Sequence, residues 1–190
     1  AEARTVEAVM PEGIRGQMVI VASCQPTDLP AIRMGAQIAR GVADEVVLLV
    51  CEEKGICENH ILEGRRVLEQ QGITPSVEFA KGATYKEILD RSSGAHFLVM
   101  GSRPLDSLEP DFYLGDNATK VVRKMTTSTL VVRGRDQVGS ILLCLDVPHS
   151  KATVNMAKEV ALATGATIEI LYVASLPTLH SIKTPPPLDA

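Results

Sequence analysis

The sequence has few aromatic residues, with no tryptophan and only three tyrosines and three phenylalanines among 190 residues. Few planar side chains are therefore present on which unpaired bases could stack, which argues against nucleic-acid binding. An excess of positive charge is also missing, because the formal net charge is −4. Proteins that bind DNA, RNA or an anionic membrane usually carry an excess of positive charge, and this sequence does not. The composition favours a globular domain with an aliphatic core.

Long apolar runs are absent as well. The longest ones, such as 18–22 and 46–50, are far shorter than the ~18–20 residues that a membrane-spanning helix needs. The N-terminus also lacks the charged and then apolar order of a signal peptide. We therefore expect a cytoplasmic protein without direct membrane insertion. The sequence begins at Ala1, without Met, which is compatible with excision from a longer chain.

The four cysteines do not have the paired spacing of a zinc site. Cys51, Cys57 and His60 are close in sequence, but a fourth ligand is not evident. We therefore predict no metal site.

Short apolar runs alternate with amphipathic segments between residues 17 and 135, which predicts alternating strands and helices. The predicted strands are 18–22, 46–50, 76–80 (an outer strand), 96–100 and 129–132. The first helix begins at Asp28 and Pro30, and the second covers 58–71 and ends at Gly72. The third carries Tyr85, Ile88 and Leu89, and the fourth starts near Asp116.

Apolar residues recur on one face of the first and fourth predicted helices, which indicates the sides that face the core. These faces are Ile32, Ala36 and Ala39 in the first helix, and Ala118, Val121, Val122 and Met125 in the fourth.

Strands that alternate with helices over such short connections predict parallel pairing through right-handed crossovers. The fold class expected is α/β, a doubly wound parallel five-stranded sheet between two layers of helices. Sheets of this kind bind ligands at the carboxyl ends of their strands, where the strand order reverses. The segments 23–28 and 101–115 follow the first and fourth strands and are the predicted site.

The same order of elements begins again at residue 140. A strand at 141–145 is followed by a helix after Pro148 and by a strand at 168–173. The residues of this helix predicted to face the core are Val154, Ala157, Val160, Ala161 and Thr164. Ser23 and Asp146 are separated by the same number of residues as Val50 and Val173, so the two segments align without a gap. We interpret 140–173 as the first part of a duplicated domain, a partial β-α-β unit. Residues 1–16 are then a lead-in or linker, 17–135 the complete domain and 174–190 a proline-rich tail.

Four local motifs resemble the universal stress protein family over roughly residues 17–134, and the start of a second copy does so over 140–173. The motifs are GATYKEIL (82–89), AHFLVMGSR (95–103), LGDNATKVV (114–122) and TLVVR (129–133). The resemblance implies a non-catalytic regulatory or stress-response domain. It also implies a homodimer that pairs through the fifth strand, from Thr129 to Arg133.

The resemblance further implies where a nucleotide would bind. The corresponding positions are Ser23, Val50, Gly101, Arg103, Gly115, Asp116, Asn117 and Asp146. Ser23 stands where nucleotide-binding members of the family have an aspartate, Pro104 replaces a loop glycine, and Asp116 replaces a hydroxyl residue. These departures predict a degenerate nucleotide site. The alternative is a sensor of AMP, ATP or a cyclic dinucleotide.

Tandem domains of this family also occur as cytoplasmic tails of transporters such as cation/proton antiporters. The resemblance therefore leaves open a regulatory tail at the inner face of a membrane, with a transporter as its partner in cis. A catalytic role is not expected, because His149 has no nucleophile placed beside it by a motif and the sequence lacks a P-loop lysine.

Overall fold

The computed structural model describes residues 16–23, 28–51, 58–80, 85–102, 116–145 and 151–172. Seven strands and five helices lie in these ranges. The strands are β1 (Gly16–Ala22), β2 (Ala43–Cys51), β3 (Ser76–Ala80), β4 (Phe97–Gly101), β5 (Ser128–Val132), β6 (Ser140–Leu145) and β7 (Thr167–Tyr172). The helices are α1 (Asp28–Val42), α2 (Glu58–Gln70), α3 (Tyr85–Arg91), α4 (Asp116–Lys124) and α5 (Lys151–Thr164).

β1 to β5 form a parallel sheet in the order β3-β2-β1-β4-β5. From β1 the chain moves outward through β2 to β3, and it then returns past β1 to β4 and β5. The helices of the outward path pack in one core cluster, and those of the return path pack in the other. The predicted fold class, a doubly wound parallel sheet, is confirmed, and β3 is an outer strand as expected.

Both faces of the sheet are buried, which explains why its central strands are continuous apolar runs. In β1, Met18 and Ile20 belong to the core cluster that contains α1 and α2, whereas Val19 and Val21 belong to the cluster that contains α3 and α4. This alternation follows from the period of two residues along a strand. It also identifies the face to which any strand residue points.

The predicted core face of α1 is confirmed, since Ile32, Ala36 and Ala39 are all buried. In α4 the prediction was wrong for Val122, whose side chain is 43% exposed, while Ala118 and Val121 are buried. Val122 follows Val121 by about 100° around the helix axis and lies at the margin of the apolar side, where solvent reaches it. The buried side of α4 consists of Ala118 and Val121, with Met125 packed partly buried beside them.

Gly72 ends α2 as predicted. It has a φ of 76°, a conformation that favours glycine, and its N–H donates to the carbonyl of Glu69. The N–H of Ile73 donates to the carbonyl of Leu68, which completes a Schellman arrangement. Leu68 and Ile73 both lie in the core cluster below the helix end.

β6, α5 and β7 form a second β-α-β unit, whose two strands pair in parallel as a separate sheet. Ala157 of α5 is buried as predicted, and the other predicted inward residues of α5 are partly buried. Met156, which was not predicted to face inward, packs with Val160 against the core cluster that contains α1. The unit therefore adds side chains to the core of the first sheet.

Small residues allow α5 to approach α1 closely. A Cβ atom built on Gly41 would lie 3.4 Å from Cβ of Ala163, which is van der Waals contact. Glu159 of α5 also lies beside β4, with its Oε2 atom 3.8 Å from Nε2 of His96. The unit is thus attached to the first domain along α1 and at the start of β4. In the part of the chain that the structure describes, no helix has the length and apolar character needed to cross a membrane.

Candidate functional site

The pairing of β1 with β4 stops short of their carboxyl ends. β1 pairs with β2 up to its last residue, Ala22, and β4 pairs with β5 up to Gly101. β1 and β4 pair over a shorter stretch, and their last pair is Ile20 with Val99. The ladder between the two strands therefore ends before the strands do, at the place where the strand order reverses. This is where open α/β sheets bind their ligands.

On the β1 side, the polar groups are Ser23 and Asp28. The hydroxyl of Ser23 donates a hydrogen bond to Oδ1 of Asp28 over 3.0 Å. Asp28 is the first residue of α1 and is 2% exposed, so its carboxylate lies where the helix N-terminus carries partial positive charge. A carboxylate is thus present next to the position where the family resemblance implies an aspartate. Asp28 was predicted at the start of the helix and within the site segment 23–28, but it was not among the named nucleotide-binding residues.

Cys51 ends β2 at the same edge of the sheet. Burial, together with the nearby carboxylates of Asp28 and Glu87, raises the pKa of its thiol to about 12. The thiol is therefore protonated at neutral pH and lacks the thiolate character of a nucleophile or metal ligand. Among the described residues, no group of three His, Cys, Asp or Glu side chains could hold a metal ion. Cys57, whose sequence position suggested a possible ligand, lies outside those residues.

We expect Cys51 to make the stability of the protein fall at alkaline pH. Its folded-state pKa of about 12 exceeds the ordinary thiol value of 9.0, so the unfolded chain loses this proton first. The stabilising contribution is complete below pH 9.0 and is lost as the pH rises towards 12, with a slope of at most about 1.4 kcal/mol per pH unit. Urea denaturation at several pH values should show a shallower alkaline loss for Cys51→Ala than for the wild type. Parallel curves for the two proteins would contradict the assignment.

On the β4 side, the polar groups are Ser102 and Arg133. The backbone N–H of Ser102 donates to the carbonyl of Val132 over 2.9 Å, which holds the end of β4 against the end of β5. The hydroxyl of Ser102 is buried and has no hydrogen-bond partner, and the same holds for Nε and Nη2 of Arg133. Arg133 was not among the predicted site residues. Its position directly after the fifth predicted strand was the signal that could have identified it.

α4 begins at Asp116 and precedes β5, so its N-terminus lies at the carboxyl edge of the sheet. Helix N-termini offer unpaired N–H groups to anions. At the other end of α4, the ammonium group of Lys124 lies 5.0 Å from the centroid of the Tyr85 ring, and that of Lys120 lies 5.5 Å from it. These cation–π contacts connect α4 to α3.

The structure brings several of the predicted site residues to one edge. Ser23, Val50 and Gly101 lie at the carboxyl ends of β1, β2 and β4, and Asn117 lies in the first turn of α4. Val50 is fully buried in the core cluster with α1, so its side chain has a packing role. Arg103, Gly115 and Asp146 lie outside the described residues, as does the side chain of Asp116. These four remain predictions from sequence.

The sequence matches no protein-family model and no curated protein. Solved structures with the same fold do exist. A functionally unknown protein from Pseudomonas aeruginosa PAO1 is 20% identical, with a TM-score of 0.66, and the match covers 81% of this chain and 59% of that one. A putative universal stress protein from Pseudomonas aeruginosa UCBPP-PA14 is 19% identical, with a TM-score of 0.64 and coverages of 81% and 60%.

A third solved structure is a universal stress protein in complex with cAMP. It is 20% identical with a TM-score of 0.53, and the match covers 63% of this chain and 97% of that one. The chain therefore spans about three fifths of the two longer Pseudomonas proteins. At these identities the likeness establishes the fold, a parallel α/β sheet of the universal stress protein type.

Proposed function

We propose that this chain is a non-catalytic regulatory domain of the universal stress protein type, and that it binds an adenine nucleotide in the crevice between β1 and β4. The observation that carries the proposal is the end of the ladder between these strands at the pair of Ile20 and Val99. It lies at the switch point of a doubly wound sheet, the general ligand position of such folds. The solved cAMP complex of a universal stress protein with this fold supports the choice of an adenine nucleotide.

The described residues fit the two ends of a nucleotide. Ser23 and Asp28 place a hydroxyl and a carboxylate at the end of β1, groups that can bind ribose hydroxyls or base nitrogens. The N-terminus of α4, Ser102 and Arg133 place hydrogen-bond donors at the end of β4, which suits a phosphate. The sequence departs from the family pattern at Pro104 and Asp116, which reduces the donors available to further phosphates. We therefore propose a preference for a nucleotide with one phosphate over a triphosphate.

Calorimetric titration with AMP, ATP–magnesium and a cyclic dinucleotide tests this proposal. We expect AMP to bind with a dissociation constant of about 1–100 µM, or about −5 to −8 kcal/mol. Ser23→Phe should weaken binding at least about 100-fold, because the ring would fill the crevice at the end of β1. Ser93→Phe is the matched control, since Ser93 is exposed in the turn before β4, at the opposite edge of the sheet.

Equal AMP affinity for the two variants would contradict the proposed position. No heat with any of the three ligands, together with no thermal stabilisation at millimolar concentration, would favour the degenerate site and a domain that acts through its surfaces. Phosphate release from ATP–magnesium above background, lost in Ser23→Phe, would contradict the non-catalytic assignment.

We also propose two partners for this chain, a second copy of itself and a transporter in cis. β5 is an edge strand of the five-stranded sheet, and edge strands present backbone groups that can pair with a second chain. This supports a homodimer through 129–133, which sedimentation analysis can test. A regulatory tail in cis with a transporter, at the inner face of a membrane, is the alternative cellular setting, and fractionation of the native protein with membranes tests it.

A further inference from the structure

We propose that Arg133 and Ser102 form an oxyanion subsite at the carboxyl ends of β4 and β5, and that this subsite takes a phosphate group. The identity of the molecule that carries the phosphate rests on the proposed function, because the subsite lies beside the proposed nucleotide site. The subsite differs from a glycine-rich phosphate loop, since side chains rather than loop backbone supply its donors.

The sheet register places the two side chains next to each other. Gly101 pairs with Val132, so the following residues, Ser102 and Arg133, leave their strands side by side. Met100 and Val131, two residues earlier in each strand, pack in the core cluster that contains α4. Because side chains alternate along a strand, Ser102 and Arg133 point to that same face.

The donors at this position lack acceptors. Ser102 is 1% exposed and its Oγ atom has no partner, and Nε and Nη2 of Arg133 are buried without a partner. A guanidinium group keeps its charge at any physiological pH, so it cannot avoid the desolvation cost by losing a proton. Buried donors without acceptors are costly, and they indicate a missing acceptor.

Three other arginines of the described chain have a carboxylate partner. Arg33, Arg65 and Arg91 each lie within salt-bridge distance of a carboxylate, on Asp136, Glu69 and Glu78 respectively. In the described ranges, no carboxylate is found within that distance of Arg133. The missing acceptor is therefore not one of the described acidic side chains.

The arrangement of the donors points to phosphate. The N–H bonds of Nε and Nη2 run parallel along one edge of the guanidinium group, which matches two oxygens of a phosphate or a carboxylate. Ser102 adds a hydroxyl donor, and the start of α4 adds backbone N–H groups at the same edge of the sheet. A carboxylate has two oxygens, whereas a phosphate can accept from all three kinds of donor at once.

The test is calorimetric titration of the full chain with inorganic phosphate, AMP and adenosine. The variants are Arg133→Met, which keeps an apolar stem of similar length, Arg133→Lys, and the control Arg66→Met on the exposed face of α2. We expect Arg133→Met to weaken AMP and phosphate about 10- to 100-fold and to leave adenosine unchanged. Arg133→Lys should recover part of the loss, because it restores the charge without the fork of donors. Arg66→Met should match the wild type.

The outcomes separate this inference from the proposed function. AMP and phosphate binding that is equal in the wild type and in Arg133→Met overturns the subsite and leaves the nucleotide proposal intact. Phosphate binding that depends on Arg133, without any binding of AMP, supports the subsite and contradicts the nucleotide proposal. Absence of both phosphate and AMP binding in the wild type overturns both.

A second variant keeps the test valid if Arg133→Met does not fold, as judged by its far-UV circular dichroism. Ser102→Ala removes one neutral donor and should weaken phosphate and AMP about 2- to 10-fold while adenosine binding stays the same. An unchanged phosphate affinity in this folded variant would contradict the proposed role of the hydroxyl.

Discussion

Replacing Ala157 with glutamate should lower the free energy of unfolding by about 3 kcal/mol, the cost of burying a charge without a partner. Ala157 is 9% exposed in α5, whose neighbouring residues Met156 and Val160 pack against the core cluster with α1. Two helices that approach as closely as α1 and α5 have no room for a carboxylate and its water. Since α5 supplies side chains to the first core, the change should destabilise the whole described structure rather than the second unit alone.

Ala152→Glu is the matched control, because Ala152 lies in the same helix but is exposed. We expect it to change stability by less than about 0.5 kcal/mol, as surface substitutions usually do, and an acidic residue near a helix start is slightly favourable. Urea denaturation followed by circular dichroism compares the two variants. Equal effects, or a wild-type protein whose two units unfold in separate transitions, would show that α5 is not part of the common core.

Leu48→Ala should lower the free energy of unfolding by about 2–5 kcal/mol. Leu48 is 0% exposed at the centre of β2, in the core cluster that α1 and α2 cover. Removing three of its carbons loses transfer free energy and leaves a cavity that the strands on either side cannot fill. A loss of this size is a large part of the total stability of an ordinary domain.

Leu62→Ala removes the same atoms from α2, where the side chain is 63% exposed. We expect a change of less than about 0.5 kcal/mol, mostly from helix propensity. Guanidinium denaturation gives both values, and a similar slope for the wild type and both variants shows that the midpoints report stability. A loss at Leu62 as large as that at Leu48 would contradict the assignment of α2 as a covering helix with one buried side.

The strands were predictable because each central one is a continuous apolar run bounded by turn residues, as in 18–22. The first and last residues of the strands were less predictable. β2 begins three residues before its apolar run because the residues from Ala43 onward pair with the start of β1, and backbone pairing leaves no trace in hydropathy. Val122 was assigned to the core because it is four residues after Ala118 and three before Met125, and helical spacing alone does not show how wide the buried side of α4 is.

The edge of the sheet that holds the site could be predicted, since the carboxyl ends of parallel strands follow from the order of elements. The side-chain contacts at that edge could not be predicted from the sequence. The hydrogen bond from Ser23 to Asp28 depends on how the chain enters α1, and the closeness of Ser102 to Arg133 depends on the register of two strands. These are three-dimensional relationships between residues whose types alone suggest no partnership.

The central claim is that a nucleotide binds at the carboxyl ends of β1 and β4, and a titration of the ¹⁵N-labelled chain with AMP, followed by amide chemical shifts, tests it most directly. We predict that the shifts concentrate at Ser23, Ser102, Asn117 and Arg133, while amides at the opposite edge, such as that of His96, stay unchanged. Shifts confined to the opposite edge, or none at millimolar AMP, would contradict the claim.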